Sequence, residues 1–152
     1  MIFAYETDMH WGVGYISGTF DMFHAGHLNL IRRARERCDR LIVGVLSDKA
    51  AMKSKKKLPV RPLRERMEIV AAIRYVDEVD ITTRSLLKKV NAWEKYRFDA
   101  MFSGDDHANE SWTKEHEQLK LLGAELVFFS YTEGISSSAL KERLLRTEPF
   151  LE

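Results

Sequence analysis

Short apolar runs alternate with segments of helical periodicity along almost the whole chain. Residues 41–46 are nearly all apolar, a pattern that is typical of a strand buried on both faces. In residues 28–37, apolar side chains recur every three or four positions, as they do on the buried side of a helix. Strands that alternate with helices predict a mainly parallel sheet with helices on both faces. We therefore expect one α/β domain over residues 1–152, with a Rossmann-like, doubly wound sheet.

The same two patterns locate the remaining elements. Further strands are predicted at residues 13–17, 76–82, 100–103 and 125–129. Further helices are predicted from Pro62 onward and at residues 86–96, 113–122 and 138–145, with Gly123 as a stop signal. Residues 49–61 are expected to form a long lysine-rich loop, residues 1–12 an N-terminal extension, and residues 146–152 a C-terminal tail.

Composition and charge exclude several classes of protein. The net charge of +1 argues against broad electrostatic binding to nucleic acid. The single cysteine, Cys38, cannot form an intrachain disulfide, and no apolar run approaches the roughly 20 residues of a membrane-spanning helix. Glu6 and Asp8, together with the lack of a basic start, argue against a secretory signal. We therefore expect a cytoplasmic protein without nucleic-acid or membrane partners.

The segment GTFDMFHAGH, residues 18–27, lies between the first predicted strand and the first predicted helix. Ligands of such sheets bind in the crevice outside the carboxyl ends of the strands, where this segment would lie. His24 and His27 would share a face close to the helix N-terminus, where backbone N–H groups and the helix dipole favour an anion. Two imidazoles there can donate hydrogen bonds to phosphate oxygens. Ordinary turn histidines and a zinc site are the alternatives, although no third or fourth zinc ligand is evident.

Three further segments follow in order: RYVDEV at residues 74–79, GDD at residues 104–106 and TEGISSS at residues 132–138. Together with residues 18–27, they resemble the motifs of the cytidylyltransferase family, a branch of the nucleotidylyltransferases that carry an HxGH signature. The resemblance covers roughly residues 13–144, and it is closest to the bacterial glycerol-3-phosphate cytidylyltransferases.

The resemblance implies transfer of CMP from CTP to a small phosphorylated alcohol, above all glycerol 3-phosphate, with release of pyrophosphate. It also implies Mg²⁺ as a cofactor and a homodimer. Three alternatives stay open: an acceptor of the ribitol-, choline- or ethanolamine-phosphate type, an adenylyltransferase that uses ATP, and a regulatory module that binds nucleotide without catalysis. The last alternative rests on two departures from the family pattern, since His107 replaces the usual Trp and Tyr131 replaces a common Arg.

The resemblance also assigns roles to individual residues. The catalytic residues would be His24, His27, Lys55 and Arg74. The nucleotide would be bound by the two histidines and by Gly18, Thr19, Phe20, Asp21, Lys57, Asp105, Asp106, Tyr131, Thr132, Gly134, Ile135, Ser136 and Ser137.

The chemistry of these side chains suits a nucleoside triphosphate, although each has a simpler alternative. Flexible lysines complement phosphates as point charges, and the loop length leaves Lys53 as an alternative to Lys55 and Lys57. The planar donor fork of Arg74 suits a phosphate, but a cation can also cap a helix C-terminus.

The acidic pair and the last motif also have two readings each. Asp105 and Asp106 could accept from a base amino group or approach hydrated Mg²⁺, or they could form a turn or helix cap. Ser136 and Ser137 are candidate N-caps of a second helix whose N-terminus could hold phosphate.

Overall fold

The computed structural model of the chain describes residues 4–5, 8–104, 110–130 and 137–146. The strands are β1 (Ala4–Tyr5), β2 (Trp11–Gly18), β3 (Cys38–Leu46), β4 (Glu78–Thr82), β5 (Ala100–Gly104) and β6 (Glu125–Phe129). The helices are α1 (Ala25–Arg35), α2 (Asp48–Lys55), α3 (Leu63–Ala71), α4 (Lys89–Tyr96), α5 (Glu110–Leu121) and α6 (Ser137–Arg146), with a 3₁₀ turn at Ser85–Leu87.

The strands form one sheet in the order β1-β6-β5-β2-β3-β4, and the pairs between described strands are all parallel. From β2 the chain first moves outward to β3 and β4, and it then returns to the other side of β2 to form β5 and β6. The order of the strands therefore reverses between β2 and β5, which is the point where doubly wound sheets bind ligands.

Helices cover both faces of this sheet. Val43 of β3 belongs to a buried cluster that includes Ile31 of α1 and Val70 of α3. Its neighbour Ile42 belongs to a second buried cluster, which includes Ala92 of α4. Successive side chains of a strand point to opposite faces, so the two clusters lie on the two sides of the sheet. The structure confirms the predicted Rossmann-like α/β fold.

Within the described ranges, no helix combines the length and the apolar character that a membrane span requires.

The thiol of Cys38, at the start of β3, is fully buried between β2 and α1. Its Sγ donates to the carbonyl oxygen of Ala34 at 3.3 Å, and a Cβ atom added to Gly14 would lie only 2.7 Å from the sulfur. Burial raises the pKa of this thiol to about 11. Cys38 is therefore a core residue without thiolate character at neutral pH.

The predicted loop at residues 49–61 is wrong in its first half, because α2 occupies Asp48–Lys55. The hydroxyl of Ser47 caps this helix by accepting from the N–H of Ala50 at 3.1 Å. Only Ala50 and Ala51 are buried in α2, so the helix lacks the stripe of large apolar residues that periodicity detects.

Other boundaries differ by a few residues. The helix predicted at residues 86–96 is split by extended backbone at Lys88 into the 3₁₀ turn and α4. Helix α1 begins three residues earlier than predicted because His24 caps it. Residues 4–5 and 11–12, which were expected in an N-terminal extension, lie in β1 and β2. Gly123 lies two residues after the end of α5 and has a φ of +86°, which agrees with its predicted role as a stop signal.

Candidate active site

A cavity of about 650 Å³ opens at the carboxyl ends of the strands. Residues from the ends of four strands line it, among them Gly18 of β2, Leu46 of β3, Gly104 of β5 and Phe129 of β6. The cavity therefore lies at the predicted crevice, where the order of the strands reverses.

His24 and His27 line this cavity and lie side by side at the start of α1. Their ring centroids are 3.8 Å apart, and the two planes are inclined by only 22°. His24 is the N-cap residue, and its Nδ1 accepts from the N–H of Gly26 at 3.0 Å. The Nδ1 of His27 accepts from the N–H of His24 at 3.3 Å, so the pair forms a capping box built from imidazoles.

These contacts fix the protonation of both rings. A backbone N–H can only donate, so each Nδ1 atom that receives one is unprotonated. Each neutral ring then has its proton on Nε2, which is the ring atom that can donate a hydrogen bond. Burial lowers the pKa of His24, and burial with the nearby His24 ring lowers the pKa of His27 to about 3. The pair is neutral at physiological pH.

The turn before α1 is held in an unusual backbone conformation. Phe20 and Met22 both have positive φ angles, of 52° and 47°, in a region that side chains rarely adopt. The Phe20 ring is 4 % exposed and packs edge-on against His27 with centroids 5.4 Å apart. A Cβ atom at Gly18 would lie 3.1 Å from that ring, so the lack of a side chain at Gly18 makes room for Phe20.

Thr19 and Asp21 flank Phe20 and differ in their partners. The Thr19 hydroxyl oxygen is buried and has no hydrogen-bond partner among the described residues, and Thr19 lines the cavity. The carboxylate of Asp21 accepts from the N–H groups of Val60 and Arg61 at 2.8 and 3.0 Å and lies 3.4 Å from Lys141 Nζ. Burial alone would raise the pKa of Asp21, but these donors lower it. Asp21 therefore fixes the segment after α2 against the turn.

The lysine run contributes three side chains to the cavity, those of Lys53, Lys55 and Lys57. Lys53 and Lys55 belong to the last turn of α2, and Lys56 ends the helix with a φ of 62°. That left-handed residue is not among the residues that line the cavity. Lys55 and Lys57, the predicted lysines, thus line the cavity together with the alternative, Lys53, whereas Lys56 does not.

Arg74 lies apart from the cavity in the structure. It is exposed at the end of the α3 region, its guanidinium donates to the hydroxyl of Tyr75 at 2.8 Å, and it lies over that ring. It is not among the residues that line the cavity. Its predicted phosphate contact stays a prediction from the resemblance.

A family model for cytidylyltransferase-like proteins matches residues 15–143. The chain belongs to the cytidylyltransferase-like family. The match extends from the middle of β2 into α6 and includes the imidazole capping box and the residues around the cavity.

Several named relatives are similar to this member of the cytidylyltransferase-like family. Ethanolamine-phosphate cytidylyltransferase of Arabidopsis thaliana is 36 % identical, and the match covers 86 % of the chain but 32 % of that protein. The bifunctional protein HldE of Bradyrhizobium sp. (strain ORS 278) is 34 % identical over 86 % of the chain and 26 % of its own length. FAD synthase of Thermococcus kodakarensis is 30 % identical over 87 % of the chain and 91 % of its own length. The chain thus spans about a third or less of the first two relatives.

A solved structure agrees with the fold of the cytidylyltransferase-like chain. The lipopolysaccharide core biosynthesis protein from Thermoplasma volcanium GSS1 superimposes with a TM-score of 0.65 over 80 % of this chain and 97 % of that one. Its sequence identity is only 18 %, so the likeness concerns the fold alone.

Some predicted site residues of the cytidylyltransferase-like chain lie outside the described residues. These are Asp105, Asp106, Tyr131, Thr132, Gly134, Ile135 and Ser136. Helix α6 begins at Ser137, close to its predicted start at residue 138. The nucleotide contacts expected of these residues stay predictions.

The structure also brings residues to the cavity that sequence reasoning missed. They are Arg33, Lys89, Trp112, Glu115 and Lys141. The guanidinium of Arg33 lies over the Phe129 ring at 4.6 Å, and it donates to the carbonyl oxygen of Ser130 at 3.1 Å. These residues occupy ordinary positions in helical segments, so periodicity gives no signal that separates them from surface residues.

The described carboxylates of the cavity do not fit a magnesium site of their own. Asp21 and Glu115 are the described acidic residues that line it, and both accept hydrogen bonds from protein donors. Among the described residues, no three His, Cys, Asp or Glu side chains are grouped as metal ligands. Mg²⁺ often binds through substrate phosphates and one or two carboxylates.

Proposed function

We propose that this chain transfers CMP from CTP to a small phosphorylated alcohol, above all glycerol 3-phosphate. A phosphate oxygen of the acceptor forms a bond to the α-phosphorus of CTP. The bond between that phosphorus and the bridging oxygen of the β-phosphate breaks, and its electron pair leaves with pyrophosphate. The products are a CDP-alcohol and pyrophosphate. Positioning and charge stabilisation suffice for such a step, and no covalent enzyme intermediate is needed.

The neutral histidine pair is the observation that carries this proposal. Both Nδ1 atoms are occupied by backbone N–H groups, which leaves the Nε2–H donors of two stacked rings beside one cavity. Fixed donors of this kind stabilise negative charge that develops on the oxygens of the α-phosphate in the transition state. The start of an eleven-residue helix adds its own positive end at the same place.

The cations at the cavity support the same reading. Lys53, Lys55 and Lys57 would bind the β- and γ-phosphates and stabilise the leaving pyrophosphate. The buried Thr19 hydroxyl, which has no partner among the described residues, would donate to a phosphate oxygen. Arg74 and the residues of the GDD and TEGISSS motifs keep the roles that the family resemblance implies.

Two of the relatives support alternative substrates. The name of the Arabidopsis relative supports ethanolamine phosphate as the acceptor, and the name of the FAD synthase supports a reaction that yields a different product. A homodimer and a requirement for Mg²⁺ are part of the proposal from the family resemblance. Light scattering tests the dimer, and a monomeric mass at micromolar concentration would contradict it.

Pyrophosphate release from a matrix of nucleotides and acceptors tests the proposed function. CTP should give the highest turnover, and ATP should give much less.

His27→Ala should lower kcat by about 10²-fold or more, the scale of losing one fixed oxyanion donor. The matched control is His10→Ala, since His10 is exposed, bonds to Asp39 and lies away from the cavity. Near wild-type turnover of His27→Ala would refute the assigned role.

A further inference from the structure

Lys89, Trp112 and Glu115 form a cluster on α4 and α5, here named the Lys89 cluster. The Lys89 side chain is only 5 % exposed, and its Nζ lies 2.8 Å from a carboxylate oxygen of Glu115. The same Nζ lies 3.4 Å from the ring centroid of Trp112. The backbone N–H of Lys89 donates to the other oxygen of Glu115 at 3.4 Å. The proposed chemistry of the histidine pair uses none of these three side chains.

The Lys89 cluster lines the same cavity as His24 and His27. The histidines come from α1, whose buried residues pack on one face of the sheet. The cluster comes from α4 and α5, whose buried residues pack on the other face. The cavity thus has the histidine pair among its lining residues from one face of the sheet and the buried Lys89–Glu115 ion pair among those from the other. An acceptor that reacts beside the histidine pair would have the Lys89 cluster available for its headgroup.

A carboxylate combined with an aromatic face is an arrangement that binds an ammonium group. In this chain the ammonium belongs to the protein itself. Burial lowers the pKa of Lys89, and the hydrogen bond and charge of Glu115 oppose that effect. The site for a cation is therefore filled before any substrate enters.

This internal cation has opposite consequences for two kinds of acceptor. To contact Glu115 and Trp112, the ammonium group of an amino alcohol would have to displace Lys89. If Lys89 stayed in place, the ammonium group would be repelled by a like charge in a partly desolvated cavity. An uncharged hydroxyl group meets neither obstacle. It can accept from the Lys89 ammonium or donate to Glu115, whose side chain is 25 % exposed.

We propose that the Lys89 cluster selects the acceptor: it admits a phosphorylated polyol and excludes a phosphorylated amino alcohol, because Lys89 already fills the ammonium site. The inference rests on the proposed function, and it separates two acceptor classes that remain open there.

The wild-type chain gives the first test. Pyrophosphate release with CTP is measured for glycerol 3-phosphate and ribitol phosphate, and for ethanolamine phosphate and choline phosphate. We expect kcat/KM to favour the polyol phosphates by about tenfold or more, the scale of one ammonium interaction in a partly desolvated site. Turnover that favours ethanolamine or choline phosphate would overturn this inference and leave the proposed nucleotidyl transfer standing. No turnover with any acceptor or nucleotide would overturn both.

Lys89→Ala gives the second test, because it vacates the ammonium site. The ratio of kcat/KM should shift towards ethanolamine phosphate by about tenfold, and adding Glu115→Gln should remove that gain. Lys88→Ala is the matched control, since Lys88 is exposed and is not among the residues that line the cavity. The control should leave the ratio unchanged.

Chemical rescue separates a direct role of the Lys89 ammonium from a purely structural one, because an added amine would not restore turnover if Lys89 only supported the fold. Methylammonium chloride should restore glycerol 3-phosphate turnover to Lys89→Ala, and sodium chloride at the same ionic strength should not. Equal effects of the two salts, or an unchanged acceptor ratio in a folded Lys89→Ala variant, would overturn the inference. The wild-type acceptor ratio decides the matter if the variant does not fold.

Discussion

His24 and His27 use their two ring nitrogens for different purposes. Each Nδ1 accepts from the backbone and builds the start of α1, while each Nε2–H takes no part in this cap. This arrangement requires neutral rings, since a protonated imidazole has no acceptor atom. Protonation would therefore break the cap and place two positive charges in stacked rings 3.8 Å apart.

The histidine pair should make folding stability depend on pH. The pKa of His27 falls from 6.5 to about 3 in the folded chain, so the unfolded chain binds more protons between these values. The free energy of unfolding should decrease as pH falls from about 6.5 to about 3, by at most about 1.4 kcal/mol per pH unit for this group. Urea denaturation between pH 7 and pH 4 measures the slope. His27→Gln should flatten it, whereas His10→Gln, at an exposed site, should not.

Arg66 connects the segments around the site through a fully buried guanidinium. It donates to the carbonyl oxygens of Thr19, Leu46 and Arg61 at 2.9, 2.7 and 3.0 Å, and to Asp48 at 2.9 Å. These partners belong to the turn before α1, the end of β3, the segment before α3 and the start of α2. One side chain of α3 thus sets the positions of several elements that line the cavity.

Arg66→Met should destabilise the fold by about 3 kcal/mol or more, because it leaves buried carbonyl groups without donors. Arg64→Met is the matched control on the same helix, since the Arg64 side chain is 87 % exposed and pairs with Glu68 on the helix surface. Its effect should stay within about 0.5 kcal/mol. Urea denaturation at pH 7 compares the two, and equal losses of stability would contradict the structural role of Arg66.

Helix α2 ends at the left-handed residue Lys56, which does not line the cavity as Lys53, Lys55 and Lys57 do. Lys56→Gly should raise the free energy of unfolding by about 0.5–1 kcal/mol, because glycine adopts the φ of 62° without strain. It should leave the KM for CTP unchanged. Lys55→Ala and Lys57→Ala should each raise that KM, because both residues line the cavity. Steady-state kinetics compares the three variants, and an effect of Lys56→Gly equal to theirs would count against this division.

Much of this architecture could be predicted from the sequence, and the exceptions have physical reasons. Apolar runs identified β3 and β6, and the histidine spacing placed two rings on one face. Helix α2 was missed because its buried residues are two alanines, and the network of Arg66 has no pattern in a single sequence. The Lys89 cluster was missed for a related reason, because Lys89 of α4 and Glu115 of α5 are 26 residues apart in the sequence.

The cavity joins both layers of helices, so a bound nucleotide should stabilise the entire fold. A ligand that binds only the folded chain adds about 2.7 kcal/mol to its stability at a concentration of 100 times Kd. CTP should therefore raise the thermal midpoint, and ATP should raise it less at the same concentration. Differential scanning fluorimetry measures both, and a shift that is equal for the two nucleotides would contradict the preference for CTP.

The buried thiol of Cys38 has a practical consequence for following these events in solution. A maleimide dye reacts with exposed thiolates, and the native chain offers none at neutral pH. A cysteine introduced at the exposed Lys56 would thus be the sole labelling position in an otherwise unaltered chain. Fluorescence from that probe would report directly how the end of α2 responds when a nucleotide arrives.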